Sequence, residues 1–319
     1  MRFEGLTVED FLSKDYRTEP ILPDSVLDKE GLLLIAGKTG VGKSYLMQQL
    51  LVELSAGQDW LDRWSVTRPY KTWMIQAEIG RGRFQDRTRR LSDLYNFDPS
   101  FHRVDTVVGI KLNKKQYLDE LQECVENWGI EVIGIDPVRP FYAGNENDSE
   151  AVGDFYDGLR KVCYETGCSF IVNHHERKGM SGESNESDSE TRGSGVWTDR
   201  VDTVLRITGR TTRHLKFQKR RNSETQDQPS YPLRMINGVF SIEEGGGLTV
   251  GTKDVLSVLN GRTVGVGELE EQVAKHLGLS TRTVRKRVDM MEEEGLIEKT
   301  PDPDSGLRKL VRMVNYTSD

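Results

Sequence analysis

The chain has 319 residues, 35% of them hydrophobic and 30% charged, and a net charge of −7. That length suits one large domain plus a small one, and the acidity excludes a polycation that coats nucleic acid over its whole surface. No apolar run is long enough for a membrane span, and Met1-Arg2-Phe3-Glu4 opens no secretory segment. The three cysteines (Cys124, Cys163, Cys168) lack metal-ligand spacing, so the expectation is a cytoplasmic protein with free thiols and no membrane partner.

In chain order, residues 1–30 read as an N-terminal arm, with a short helix near 7–12 and an extended lead-in at 20–23. Over 31–245, strand patterns at 32–36, 71–77, 101–108, 130–136, 168–174, 202–208 and 213–219 alternate with helical patterns. The helices fall at 44–56, 81–95, 114–128 and 149–166. This alternation predicts an α/β domain with a mostly parallel sheet under covering helices, its last strands returning as antiparallel hairpins. The Ser/Glu/Asp/Asn-rich stretch 181–192 reads as a mobile loop. Glu243-Glu244-Gly245-Gly246-Gly247 breaks the pattern and sets the domain boundary, leaving 250–319 as a second, smaller domain.

Between the apolar run 32–36 and the helical pattern 44–56 lies Gly37-Lys38-Thr39-Gly40-Val41-Gly42-Lys43-Ser44. Strand, glycine loop and helix together form a nest of backbone N–H groups at the positive end of a helix, a site for phosphates. Lys43 is expected to reach the β- and γ-phosphates of ATP, and Ser44 to hold Mg²⁺.

Three other strand ends carry matching chemistry. Asp136 closes the apolar run 131–135 before Pro137, where a buried carboxylate suits a cation better than an ordinary turn. Glu78 closes 71–77 and is the candidate to orient an attacking water, with a helix cap as the plainer reading. His174, in the run Asn173-His174-His175-Glu176, is the candidate to touch the γ-phosphate or that water. Lys219-Arg220-Arg221-Asn222 ends another strand. Lys219 and Arg221 are either phosphoryl-stabilising groups supplied by a neighbouring subunit or a solvated hairpin end.

Taken together, these motifs resemble the RecA-like P-loop NTPase core of ring-forming replicative helicases, the DnaB-like group, and within it the RepA type of plasmids, phages and mobile elements. Ala77-Glu78, Asp136-Pro137-Val138-Arg139-Pro140-Phe141, His174-His175-Glu176-Arg177-Lys178, Arg192-Gly193-Ser194 and Lys219-Arg220-Arg221-Asn222 carry the likeness over about 20–242. The resemblance implies a homo-oligomer, a hexameric ring with ATP at each interface and Lys219 and Arg221 reaching into the neighbour's site. Single-stranded DNA would occupy the central channel. The loop after the second histidine, flanked by Arg177, Lys178 and Arg192, is the candidate DNA contact, although its acidic middle would repel a phosphate backbone.

Residues 250–319 resemble a winged helix-turn-helix. Short helices near 253–259 and 266–277 precede a third, capped by Ser280, that carries Arg282, Arg285, Lys286 and Arg287 opposite Val284, Val288 and Met291. A hairpin wing follows. These cations are expected at duplex DNA, but the 11 basic and 12 acidic residues of the unit also suit a module that binds a replication protein. The leading expectation is an ATP-hydrolysing DNA motor, a replicative helicase. An ATP-dependent recombination or loading factor, or an ATP-switched DNA-binding regulator, remain as alternatives.

Overall fold

The computed structural model describes residues 5–16, 19–95, 97–145, 148–176, 195–210, 212–223, 229–243, 252–277, 281–293, 295–303 and 305–314. Helix α1 (Val8–Ser13) buries none of its residues, and Thr7 caps it by accepting from Asp10 N. A hairpin, β1 (Pro20–Leu22) and β2 (Leu27–Asp28), then enters the core with Ile21, Leu22, Val26 and Leu27 buried. This hairpin lies within the arm expected over 1–30, and its four apolar side chains pack in the larger core.

The central sheet is built from β3 (Leu32–Gly37), β4 (Thr72–Gln76), β5 (His102–Thr106), β6 (Val132–Asp136), β7 (Ser169–His175), β8 (Thr203–Thr208), β9 (Arg213–Arg220), β10 (Ser230–Ile236) and β11 (Val239–Ile242). Among the described residues these strands lie in the order β11-β10-β9-β8-β3-β7-β6-β4-β5. From β8 to β5 every pairing is parallel, and from β8 to β11 every pairing is antiparallel. The strand and helix patterns read from the sequence fall on these elements. Strands β10 and β11 do not stand out in the sequence, because β10 buries only Leu233 and Ile236 and carries Pro232, and β11 is four residues long.

Helices α2 (Lys43–Ala56), α3 (Arg81–Leu94), α4 (Lys115–Trp128) and α5 (Ser149–Thr166) cross between the parallel strands, and α6 (Gly195–Asp199) precedes β8. Leu46, Met47, Leu50, Leu51 and Leu54 on α2 are fully buried, each stabilising the fold by about 1.5–3 kcal/mol. Gly134 permits this close packing: a Cβ there would lie 2.6 Å from Leu51 Cδ1. Gln48, Gln49 and Glu53 are buried as well, so α2 has almost no solvent face. A second core on the other face gathers Phe141, Tyr142, Phe155, Tyr156 and Trp197.

The C-terminal unit comprises α7 (Thr252–Leu259), β12 (Val264–Gly265), α8 (Val266–Leu277), α9 (Thr281–Glu293), β13 (Ile297–Asp302) and β14 (Ser305–Met313). Its strands pair in the order β12-β14-β13, and Val284, Val288 and Met291 of α9 are fully buried against α7 and α8. The fold is thus α/β with a large, mostly parallel sheet and a C-terminal winged helix. The boundary expected at 243–247 and the capping Ser280 lie, apart from Glu243, outside the described residues. Ile236 of β10 joins the winged-helix core, so the small unit is docked on the large one.

Candidate nucleotide site and nucleic-acid interface

Parallel strands deliver their C-terminal ends to one edge of the sheet, and the candidate residues gather there. Gly37 ends β3 beside His175 of β7. The loop Gly37–Ser44 closes on Gly42, whose φ of 109° leads into α2. Lys43 Nζ is buried and donates to Gly37 O at 2.7 Å, to Lys38 O at 3.1 Å and to His175 Nδ1 at 3.0 Å. Burial lowers the Lys43 pKa to about 8, partly offset by Asp136, Glu176 and Glu78. The lysine is folded into its own loop, with its three donors directed at groups that a phosphate would replace.

Ser44 Oγ donates to Asp136 Oδ1 at 3.1 Å, and Asn173 Nδ2 donates to the same oxygen at 2.8 Å. Burial raises the Asp136 pKa, opposed by those two hydrogen bonds. Mg²⁺ takes one or two protein oxygens and keeps the rest of its shell as water and phosphate. The hydroxyl–carboxylate pair fits that demand, and Asn173 Oδ1, buried without a protein partner, offers a further acceptor toward bound water. Ser44 and Asp136 would hold the ion, which would neutralise charge on the phosphates.

His174 and His175 are adjacent on an extended strand, so their side chains leave by opposite faces. His175 faces the loop. Because Lys43 donates to Nδ1, the ring proton sits on Nε2, which faces Glu78 Oε2 at 3.5 Å. His174 does not face the loop. It stacks on Trp197 with ring centroids 4.9 Å apart, and burial, with the charges of His175 and Lys43, lowers its pKa to about 4. The alternation of β7 thus turns His175 to the loop and Lys43, and His174, the residue expected there, to Trp197.

Glu78 is half-exposed at the tip of the turn after β4. Gln76, fully buried, fixes that turn: its Oε1 accepts from Glu78 N and Ile79 N, and its Nε2 donates to Ile79 O and Thr106 Oγ1. Sequence reasoning missed Gln76, Asn173 and His175, all of which sit within two residues of the candidates it chose. It also missed Arg210, after the end of β8, and Arg213, at the start of β9, which donate to Thr39 O and Val41 O and bring positive charge against the loop. A cleft of about 420 Å³ opens beside them, lined by Lys38, Val41, Arg206, Thr212 and Phe217 among others.

Lys219 and Arg221 lie elsewhere. Lys219 pairs with Val204 and Arg220 with Thr203, at the N-terminal end of β8 and so at the edge of the sheet opposite the loop. Lys219 Nζ donates to Thr198 O and Asp199 O, both at 2.9 Å, and Arg221 donates to Asp199 O at 3.1 Å. Neither can serve the nucleotide site of its own chain. Arg177, Lys178 and Arg192 lie outside the described residues.

In the winged helix, Arg282 and Lys286 are exposed one turn apart on α9. Arg285 is held by Glu270 of α8 through a bidentate pair of 2.8–3.1 Å, and Arg287 turns inward to donate to Thr252 Oγ1. Of the four expected cations, Arg282 and Lys286 are exposed, Arg285 is exposed but paired with Glu270, and Arg287 bonds Thr252.

A glycine-rich loop between a central parallel strand and a buried helix, with a serine–aspartate pair beside it, defines a P-loop nucleotide-binding protein. A family model described as an AAA domain matches residues 1–181, more than half of the chain. The chain belongs to that family, whose membership indicates ATPase activity and nucleotide binding, usually with Mg²⁺. A second model, described as winged helix-turn-helix DNA-binding, matches residues 271–298. No helix among the described residues is long and apolar enough to cross a membrane.

Proposed function

We propose that the protein is an ATP-driven motor on DNA, a ring-forming replicative helicase of the DnaB-like, RepA-type group, serving a plasmid, phage or mobile element. ATP and Mg²⁺ occupy the Gly37–Ser44 loop with Ser44 and Asp136 at the metal. Glu78 orients the attacking water, and His175 links that water to Lys43. Single-stranded DNA passes through the ring. The winged helix, with Arg282 and Lys286 outward, contacts duplex DNA or a replication protein. For the domains we propose an ATPase unit that ends near 245 and a winged helix over 250–319.

The observation that carries this reading is the separation of charges. Lys43, Asp136, Glu78 and His175 converge at one edge of the sheet, while Lys219 and Arg221 sit at the opposite edge. Lys219 and Arg221 lie across the sheet from their own chain's loop, and a closed ring would bring them to a neighbour's. The test is the ATPase rate with and without single-stranded DNA, for the wild type and Arg221→Ala, with mass measured in parallel. Stimulation by DNA, loss in the variant and a ring-sized mass are the expected results. An unstimulated monomer indifferent to Arg221→Ala would leave the second reading, an ATP-switched DNA-binding regulator, which the docking of the winged helix on the ATPase unit favours.

A further inference from the structure

We infer that the β10–β11 hairpin is a positioning element for the phosphate loop, with Phe240 as its contact residue, and that the winged helix holds this hairpin in place. The hairpin lies beyond the residues matched by the AAA-domain model, and no motif marks it. The inference rests on the ATPase reading of the loop.

Two points on the hairpin touch the loop and its helix. A Cβ on Gly42 would lie 2.5 Å from Phe240 Cζ, so the phenyl ring sits directly against the glycine where the phosphate loop becomes α2. A Cβ on Gly238, in the hairpin turn, would lie 2.7 Å from Tyr45, the residue after Ser44. Phe240 cannot drift from this position. Its N–H donates to Gln49 Oε1 at 2.7 Å, and its carbonyl accepts from Gln49 Nε2 at 2.9 Å, an amide clasp buried on α2 itself. The width of the anion nest depends on where Gly42 sits, and Phe240 is the wall behind it.

The outer side of the same hairpin is gripped by α7. Ser241 Oγ donates to Asp254 Oδ1 at 3.0 Å, Asn237 Nδ2 donates to Ser257 O at 2.9 Å, and Arg234 pairs with Asp254 at 3.4 Å. A second anchor reaches α2 directly: Lys253 Nζ lies 3.0 Å from the buried Glu53 carboxylate and 3.2 Å from Asp62. Glu53 also accepts from Tyr95 and from Leu61 N. On the far side of α7, Arg287 of α9 donates to Thr252. A contiguous set of contacts therefore runs from Gly42 through Phe240 and α7 to the helix that carries Arg282 and Lys286. Such a path couples two sites when both bias the same element, and the coupling is reciprocal.

The experiment measures the dissociation constant of a fluorescent ATP analogue with Mg²⁺, together with KM and kcat, for the full chain. Phe240→Leu is expected to raise the dissociation constant and KM about tenfold with kcat at saturation within about twofold, the signature of lost ground-state positioning. The double variant Asn237→Gly/Ser241→Ala keeps the left-handed turn (Asn237 φ 49°) and cuts two links to the winged helix. It is expected to raise the dissociation constant about three- to tenfold, the range for hydrogen bonds of this kind. Thermal unfolding without nucleotide establishes that each variant is folded, and the double variant decides the matter if Phe240→Leu is not. Unchanged affinity in folded Phe240→Leu, or in the double variant, overturns the inference. A wild type that binds no nucleotide overturns the ATPase reading itself.

Discussion

The two edges of the central sheet both carry ionisable groups and use them in different ways. At the C-terminal edge, Lys43 is bound only to loop carbonyls and a histidine, all of which a phosphate can displace, and Asp136 accepts from a hydroxyl and an amide. At the N-terminal edge, Asp202 takes Arg160 at 2.8 Å and Leu32 N at 2.9 Å, with Arg221 at 3.5 Å, and the Lys219 ammonium sits on two carbonyls. The first edge is a set of donors waiting for an anion. The second is closed within the chain, with burial and the nearby Arg221 lowering the Lys219 pKa. The difference teaches that a basic cluster at a strand end is not in itself a phosphate site. What makes one within a single chain is convergence on a glycine loop with a hydroxyl–carboxylate pair, and Lys219 and Arg221 lie across the sheet from that loop.

The largest way to break this comparison is at the open edge. Lys43→Ala is expected to lower kcat/KM by about 10³, on the order of 4 kcal/mol, in a steady-state ATPase assay. If the closed edge serves a neighbour, Arg221→Ala is expected to lower kcat by about 10³-fold or more with the unfolding midpoint little changed. An Arg221 that served only its own fold would show the reverse, a stability loss with kcat intact.

The histidines sharpen the same contrast within one strand. His175→Ala is expected to cost about 10² in kcat. His174→Ala is expected to cost about 1–3 kcal/mol of stability through its lost stack on Trp197, with kcat retained, as read by denaturant melts alongside the assay. Equal kinetic effects would contradict the assignment made by the alternation of β7.

Much of this was legible in the sequence, and the reasons are local. A glycine loop between strand and helix, or a carboxylate at the end of an apolar run, is written in consecutive residues, so Lys43, Ser44 and Asp136 could be chosen without coordinates. The choice between His174 and His175 depends on strand register, which a two-residue run does not settle. Gln49 and Glu53 look like ordinary polar positions on a surface helix, yet both are buried, because the hairpin and α7 arrive from nearly 200 residues away. Arg285 illustrates the same limit: its spacing on α9 reads as a DNA face, and its pairing with Glu270 comes from α8, a separate helix.

Smaller effects follow from charge. ATP prefers Lys43 protonated, and burial holds its pKa at about 8 in the free protein. Affinity should therefore be level below pH 8 and fall as pH rises through that value, by up to about tenfold per unit, in titrations of nucleotide binding against pH. In the winged helix, Lys286→Ala or Arg282→Ala is expected to weaken duplex binding and lower the slope of log K against log salt by about 1 each. Arg285→Ala should leave that slope nearly unchanged, because its guanidinium is held by Glu270.

The most direct test of the central claim mixes two inactive proteins. Lys43→Ala lacks a working loop and Arg221→Ala lacks the finger, and the two are combined in equal amounts under conditions that exchange subunits. If the closed edge of one chain completes the open edge of the next, the mixture should regain roughly a quarter of wild-type ATPase, the share of interfaces pairing an intact loop with an intact finger. A mixture as inactive as its two components, with exchange demonstrated, would contradict the account.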